Sequence, residues 1–145
     1  MKRYFRLYLS RLILILYIIS VFLLCFLNLG AETGIASEWF GIPTDKIAHF
    51  LMFFPYPALI TFVFCKSGWN PMKFIGFLLV VLVTGIIIGG SIELLQGLTG
   101  YRSCDIKDFR ADCLGLFTGA LLTLSVWLAV RRKESRHMNS SGSLK

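Results

Sequence analysis

Acid is scarce in this sequence. Eight Asp and Glu stand against 15 Lys and Arg, and charged residues of both signs make up only 16% of the chain. Polar stretches are short, and the apolar residues come in long blocks. With 56% hydrophobic residues and a mean hydropathy of +0.72, the chain lacks what a soluble domain needs, an apolar stripe backed by a polar face. Blocks that are apolar all round must be covered by lipid or by other helices. Cysteine is sparse as well: Cys25, Cys65, Cys104 and Cys113 form no CxxC. That excludes a disulfide framework or a zinc site of the usual spacing. Cys104 and Cys113 pair only if both face an oxidising side. Small apolar side chains in membrane helices are the preferred reading. The two histidines are His49 and His137, and no HExxH is present. No A-x-A precedes Glu32, and Leu24 stands where a lipobox needs a small residue before Cys25. The first apolar run therefore reads as an uncleaved anchor rather than a signal peptide.

What is present is a set of four apolar runs, at 7–29, 45–65, 72–97 and 108–130. The first has 23 residues, which at 1.5 Å each reach about 34 Å, enough for the hydrocarbon core with some tilt. The expectation is one all-α domain over 1–145, an integral membrane bundle of four transmembrane helices. The basic, then Ser-rich, stretch 131–145 is expected to be a disordered tail. His137 falls there and carries no argument for function. Trp39 and Phe40 in the first loop suit the membrane interface. Thr44 is placed to cap the second helix, and Pro55 and Pro57 should open that helix locally.

Four spans put both termini on one side. That side carries a formal charge of +10 and the other −3, within the chain's net +7. By the positive-inside rule both termini are cytoplasmic. The same distribution accounts for the basic balance without nucleic acid as a partner. It also brings distant polar residues to one height, near the outer membrane–water boundary. Asp45, Lys46 and His49 begin the second span there. Glu93 and Gln96 end the third. Arg102, Asp105, Lys107, Asp108, Arg110 and Asp112 lead into the fourth.

Asp45 and His49 share one helix face, as do Asp108 and Asp112. Gly85, Gly89, Glu93 and Gly97 recur every four residues, and Gly115 and Gly119 form a second small-residue pair. The simplest packing sets the third span on the fourth through these glycines and brings Glu93 towards Asp112. His49 is placed to bridge Asp45 and Glu93. A carboxylate at the end of a span needs a partner or a task. The structural account pairs Glu93 with Arg102, Lys46 or His49. The functional account makes it a general base, a proton carrier or a headgroup ligand. Asp45, His49, Glu93, Asp108 and Asp112 also carry metal-donor atoms. No ligand spacing fixes such a site, so salt bridges to Lys46, Arg102, Lys107 and Arg110 are preferred, and neither a metal nor a cofactor is assigned. Ser103 and Cys104 are nucleophile candidates with no base at a supporting spacing.

DKIAHF at 45–50, ELLQ at 93–96, and the run from Arg102 through Asp108 and Asp112 to Gly115 resemble the VanZ-like family. Its pattern is approximately DKxxHF, then ExxQ at the end of a span, an Arg-containing turn, and DxxxNxxG opening the last span. The resemblance covers 44–122, and Asp112 stands where the family usually has Asn. It implies a small multi-pass protein of the bacterial cytoplasmic membrane, with a link to resistance against teicoplanin, a lipid-tailed glycopeptide. It attaches no reaction. Three functions remain open. The first is binding or modulation of an amphiphile, a lipid-linked envelope precursor or a lipidated glycopeptide. Its headgroup would meet Asp45, Lys46, His49, Glu93, Gln96, Arg102, Asp105, Asp108 and Asp112. The second is an enzyme acting on a lipid headgroup, with Glu93 or His49 as acid/base and Asp108 or Asp112 assisting. The third is a small transporter, which needs an oligomer because four spans make a thin pathway.

Overall fold

A computed structural model describes residues 2–26, 38–39, 41–66, 68–98 and 105–142. Among them are four helical segments long and apolar enough to cross a membrane: Leu7–Phe26, Thr44–Phe64, Pro71–Leu98 and Ile106–Arg136. The chain is built from helix α1 (Lys2–Phe26), a short antiparallel pair β1 (Glu38–Trp39) and β2 (Ile42–Pro43), and helices α2 (Thr44–Phe53), α3 (Tyr56–Phe64), α4 (Pro71–Leu98) and α5 (Ile106–Gly142). Gly41, between the two strands, takes a φ of +76°, a conformation glycine adopts without steric cost. Pro43, not Thr44, occupies the cap position of α2, and Thr44 is the first helical residue.

Each helix buries one narrow face and leaves the rest to lipid. On α1 the buried residues are Ser10, Leu14, Val21 and Cys25, at a helical spacing that keeps them in one stripe. Large apolar side chains such as Ile15, Ile18, Phe22 and Leu23 are exposed on its other sides. The Tyr17 hydroxyl donates to the Met52 carbonyl, and Gln96 Nε2 donates to the Cys25 carbonyl at 2.7 Å, so α1 is tied to both α2 and α4.

The second span is broken, as its prolines predict. Helix α2 ends at Phe53 and α3 begins at Tyr56. Pro55 and Pro57 have no N–H, so the carbonyls of Leu51 and Phe53 lose their helical donors. The path still continues in one direction, because Phe54 N–H donates to Phe50 O at 2.9 Å and Leu59 N–H to Pro55 O at 3.0 Å.

Helix α5 packs against α2, α3 and α4 and is the centre of the bundle. Its glycines do not meet those of α4, contrary to the expected ridge-on-ridge packing. A Cβ on Gly115 would strike the Phe50 carbonyl, and one on Gly119 would strike the Phe54 carbonyl. Gly85 and Gly89 of α4 instead receive side chains, Leu116 and Tyr56 at the first, Asp112 and Phe53 at the second. The second glycine pair is used instead against the backbone of the second span, at the Phe50 and Phe54 carbonyls beside the proline break, where a face without side chains can come close. Helix α5 also runs on through Arg131 and Lys133 to Gly142, where a disordered tail is expected from the sequence. Arg, Lys, Glu and Met are good helix formers, and extending an established helix gains one hydrogen bond per residue fixed.

At the end of the bundle far from Glu93, Phe74 stacks on Trp127 with ring centroids 4.2 Å apart. Arg131 lies over the Trp127 ring and donates to the Trp69 carbonyl. These aromatic and basic residues join the start of α4 to the membrane end of α5. Cys65 and Cys113 are free thiols, and the Cys25 sulfur is buried 4.0 Å from the Met52 sulfur. Cys104 lies outside the described residues.

Candidate functional site

Three helix ends supply the site. Helix α2 brings Asp45, Lys46 and His49 in its first turns. The last turns of α4 bring Glu93 and Gln96. Asp105 precedes α5, whose first turns bring Asp108 and Asp112. Each turn of helix sets its residues 5.4 Å along the axis, so the polar groups sort into two layers, a partly wet rim and a buried floor.

The rim is organised by Lys46. Its Nζ lies 2.7 Å from Asp108 Oδ1 and 3.2 Å from both Asp45 Oδ2 and Asp105 Oδ2. All three ammonium protons therefore have carboxylate acceptors. Asp105 Oδ1 accepts the Lys107 backbone N–H at 2.9 Å, and this bond, with the Lys46 ammonium, holds the Asp105 carboxyl below the usual carboxylate range. Asp108 sits in the first turn of α5, where the helix dipole favours a negative charge. Lys107 and Arg110 are exposed.

The floor consists of His49, Glu93 and Asp112, which are 1%, 3% and 0% exposed. His49 Nδ1 lies 3.0 Å from Asp112 Oδ1 and 3.7 Å from Glu93 Oε1. Its Nε2 faces Asp108 Oδ2 at 3.8 Å. The expected bridge from His49 to Asp45 is not made. Asp45 is one turn nearer the rim and is held by Lys46, and Asp112 reaches the imidazole from across the interface. Glu93 and Asp112 do approach one another, but through the imidazole and not through paired glycine ridges. Glu93 Oε2 accepts the Asp105 backbone N–H at 3.2 Å, which ties the entry of α5 to the end of α4.

Gly89 makes the floor possible. A Cβ there would stand 3.2 Å from Asp112 Oδ2, so the glycine leaves the space that the carboxylate fills. Its spacing of four from Glu93 marked it as part of the same face, but not as the wall of a carboxylate pocket. Gln96 is buried on α4 with its amide directed to α1 through the Cys25 carbonyl, so it positions a helix beside the floor. Tyr17, which anchors α1 to α2 next to this floor, carries no signal in the sequence. It is one aromatic in an apolar run, far from every polar motif. Arg102, proposed to meet a headgroup, lies outside the described residues, as do Ser103 and Cys104.

Chemically, the floor is an imidazole flanked by carboxylates on both nitrogens. It can fix a tautomer, move a proton, or present one nitrogen and several oxygens to a ligand. Three of its atoms, His49 Nε2, Glu93 Oε1 and Asp112 Oδ2, are buried and have no hydrogen-bond partner among the described residues. Buried polar atoms are normally satisfied, so three orphans in one place single out the floor as a candidate ligand site.

The family described as VanZ/LLP1 matches residues 13–128 of the chain. That stretch contains the floor, the described rim residues and most of all four spans. No curated protein and no solved structure matches the chain.

Proposed function

The chain belongs to the VanZ/LLP1 family, and on that premise we propose that it is a protein of the bacterial cytoplasmic membrane that binds or modulates an amphiphilic envelope lipid or a lipidated antibiotic. The observation that carries this reading is the layering of the site. An acidic rim of Asp45, Asp105 and Asp108 around one lysine lies over a buried floor, at the end of lipid-facing helices. An amphiphile matches that layout, with its headgroup at the rim and its tail along the exposed apolar faces. Lys46 is saturated by its own carboxylates. The rim therefore favours headgroups that bring amino or hydroxyl donors, such as the peptide and sugar parts of a lipid-linked precursor or a lipidated glycopeptide.

The test compares envelope lipids and lipid-linked glycans from cells lacking the protein, cells with the wild type, and cells with Glu93→Gln at matched membrane abundance. Susceptibility to a lipid-tailed glycopeptide is measured on the same strains. The expected result is that one lipid species, or the susceptibility, changes with the wild type and reverts with Glu93→Gln. Identical profiles and identical susceptibility in all three strains would remove the reading.

A second reading, an enzyme acting on a lipid headgroup, is favoured by one observation: the 3.0 Å contact of His49 with Asp112. A carboxylate that orients an imidazole is how general bases are built. Here Asp112→Asn would abolish turnover while leaving headgroup binding in place. A binding protein would lose affinity in graded steps across Glu93→Gln, Asp108→Asn and Asp112→Asn.

A further inference from the structure

With both Glu93 and Asp112 ionised, the floor carries more negative charge than its described neighbours compensate. Lys46 is engaged in the rim and does not reach Glu93 or Asp112 within ion-pair distance. If His49 is protonated, it opposes two carboxylates with one charge. If it is neutral, both carboxylates are buried with none. Such a deficit is costly in a water-poor site at the end of a membrane span. A divalent ion with a neutral imidazole and two carboxylates brings the balance to zero.

The geometry suits such an ion. One donor atom from each of His49, Glu93 and Asp112 lies within 4.8 Å of the other two. Ligands about 2.1 Å from an ion stand about 3.0 Å apart at right angles and about 3.4 Å apart in a tetrahedron. His49 Nδ1 is already 3.0 Å from Asp112 Oδ1 and 3.7 Å from Glu93 Oε1, so rotations of buried side chains close the set. The orphaned oxygens belong to the same residues, Glu93 Oε1 and Asp112 Oδ2. On the far side of the ring, Nε2 faces Asp108 Oδ2 at 3.8 Å, and Asp108 is itself fixed by Lys46 at 2.7 Å. A ligating histidine directs its second nitrogen to such a carboxylate.

We propose that His49, Glu93 and Asp112 bind one divalent first-row metal ion, of the Zn2+ or Mn2+ class, that joins α2, α4 and α5 at the end of the bundle. One nitrogen and two carboxylates suit these ions. Ca2+ takes six to eight oxygens and is a poorer match. Three protein ligands leave a coordination position for water or for an oxygen of a ligand. The inference does not depend on the amphiphile reading, because an ion can join the helices with no headgroup bound.

The test uses the full chain without a histidine tag, purified in detergent micelles, stripped with chelator, and titrated with Zn2+, Mn2+ and Ca2+ separately. Bound metal is counted by mass spectrometry after desalting. The expected result is about one Zn2+ or Mn2+ per chain and no retained Ca2+. Glu93→Gln and Asp112→Asn each weaken Zn2+ binding more than about 100-fold, and Asp108→Asn weakens it about 10–100-fold. His137→Ala, in the distal part of α5, leaves it unchanged. Zn2+ raises the unfolding temperature of the wild type and not of Glu93→Gln. Where a variant does not fold, Co2+ added to the wild type decides. A visible absorption band of a four- or five-coordinate ion supports the site, and a purely octahedral aqueous spectrum overturns it. Equal metal uptake by wild type and both floor variants, or none by folded wild type, also overturns it, whatever the lipid comparison shows.

Discussion

Lys46 holds three carboxylates that would otherwise repel one another, each within 3.2 Å of its nitrogen. Hydrogen bonds between charged groups contribute about 1.5–3 kcal/mol each, less where water reaches them, and this rim is partly wet. Lys46→Met should lower stability by about 1–3 kcal/mol, read as a fall in unfolding temperature in detergent. Asp108→Asn in the same chain should recover part of that loss, because it removes one of the repelling charges. Strict additivity of the two changes would show that the contact is not energetically coupled. Asp105 adds a pH dependence. Its carboxyl is held below the usual carboxylate range by the Lys107 N–H and by Lys46. Its contribution is thus fully present above the ordinary Asp pKa and is lost as pH falls through the depressed folded value. The unfolding temperatures of wild type and Asp105→Asn should differ at pH 7 and converge well below about pH 4. The membership of this cluster was legible in the sequence, because the order of four spans sets these residues at one end of the bundle. Its pairing was not. Spacing within a helix says that Asp45 and His49 share a face, but not that Lys46 takes the first and Asp112 the second.

The same limit appears between helices, where the glycines of α5 were legible as a packing face but not as the face for α2 and α3. What approaches them is the backbone of the second span, at the Phe50 and Phe54 carbonyls beside the break. A motif such as GxxxG marks a close approach without naming what approaches. The contrast is measurable. A Cβ on Gly76 meets nothing within 4 Å, whereas on Gly119 it runs into the Phe54 carbonyl and stands 3.3 Å from Pro57 Cδ. Backbone cannot swing aside as a flexible side chain can, so Gly119→Ala should cost about 1–3 kcal/mol. Gly76→Ala should be neutral or stabilising by up to about 1 kcal/mol, from helix propensity alone. Unfolding temperatures of the two variants in detergent decide. Equal effects would mean that α5 does not sit against the break. Because Gly115 and Asp112 are on the same stretch of α5, displacing the helix also moves the floor. Gly119→Ala should therefore weaken whatever ligand the floor binds, although it lies far from the rim.

At the scale of the whole molecule, the site matters only with respect to a side of the membrane. All of its described residues lie at one end of the bundle, the end of Glu93 and Asp108. The other end carries Arg131, the Phe74–Trp127 stack and the extended, basic end of α5. From the charge difference of +10 against −3 that four spans give the sequence, we propose that the site faces outward and the termini face the cytoplasm. The difference is large because the basic residues cluster at both chain termini and in the turn between the second and third spans. An odd number of spans would separate those termini and lose the asymmetry. The experiment is cysteine labelling in intact cells, on a chain whose four cysteines are replaced by serine. Lys107→Cys, exposed beside the rim, should react with a membrane-impermeant maleimide before permeabilisation. Ser141→Cys, near the end of α5, should react only afterwards. The reverse pattern would turn the site to the cytoplasm. An externally applied glycopeptide would then have no direct path to it, and the candidate ligands would be lipid-linked precursors on the inner leaflet. Orientation thus selects between the two classes of amphiphile before any ligand is tested, and it does so with the protein in its own membrane.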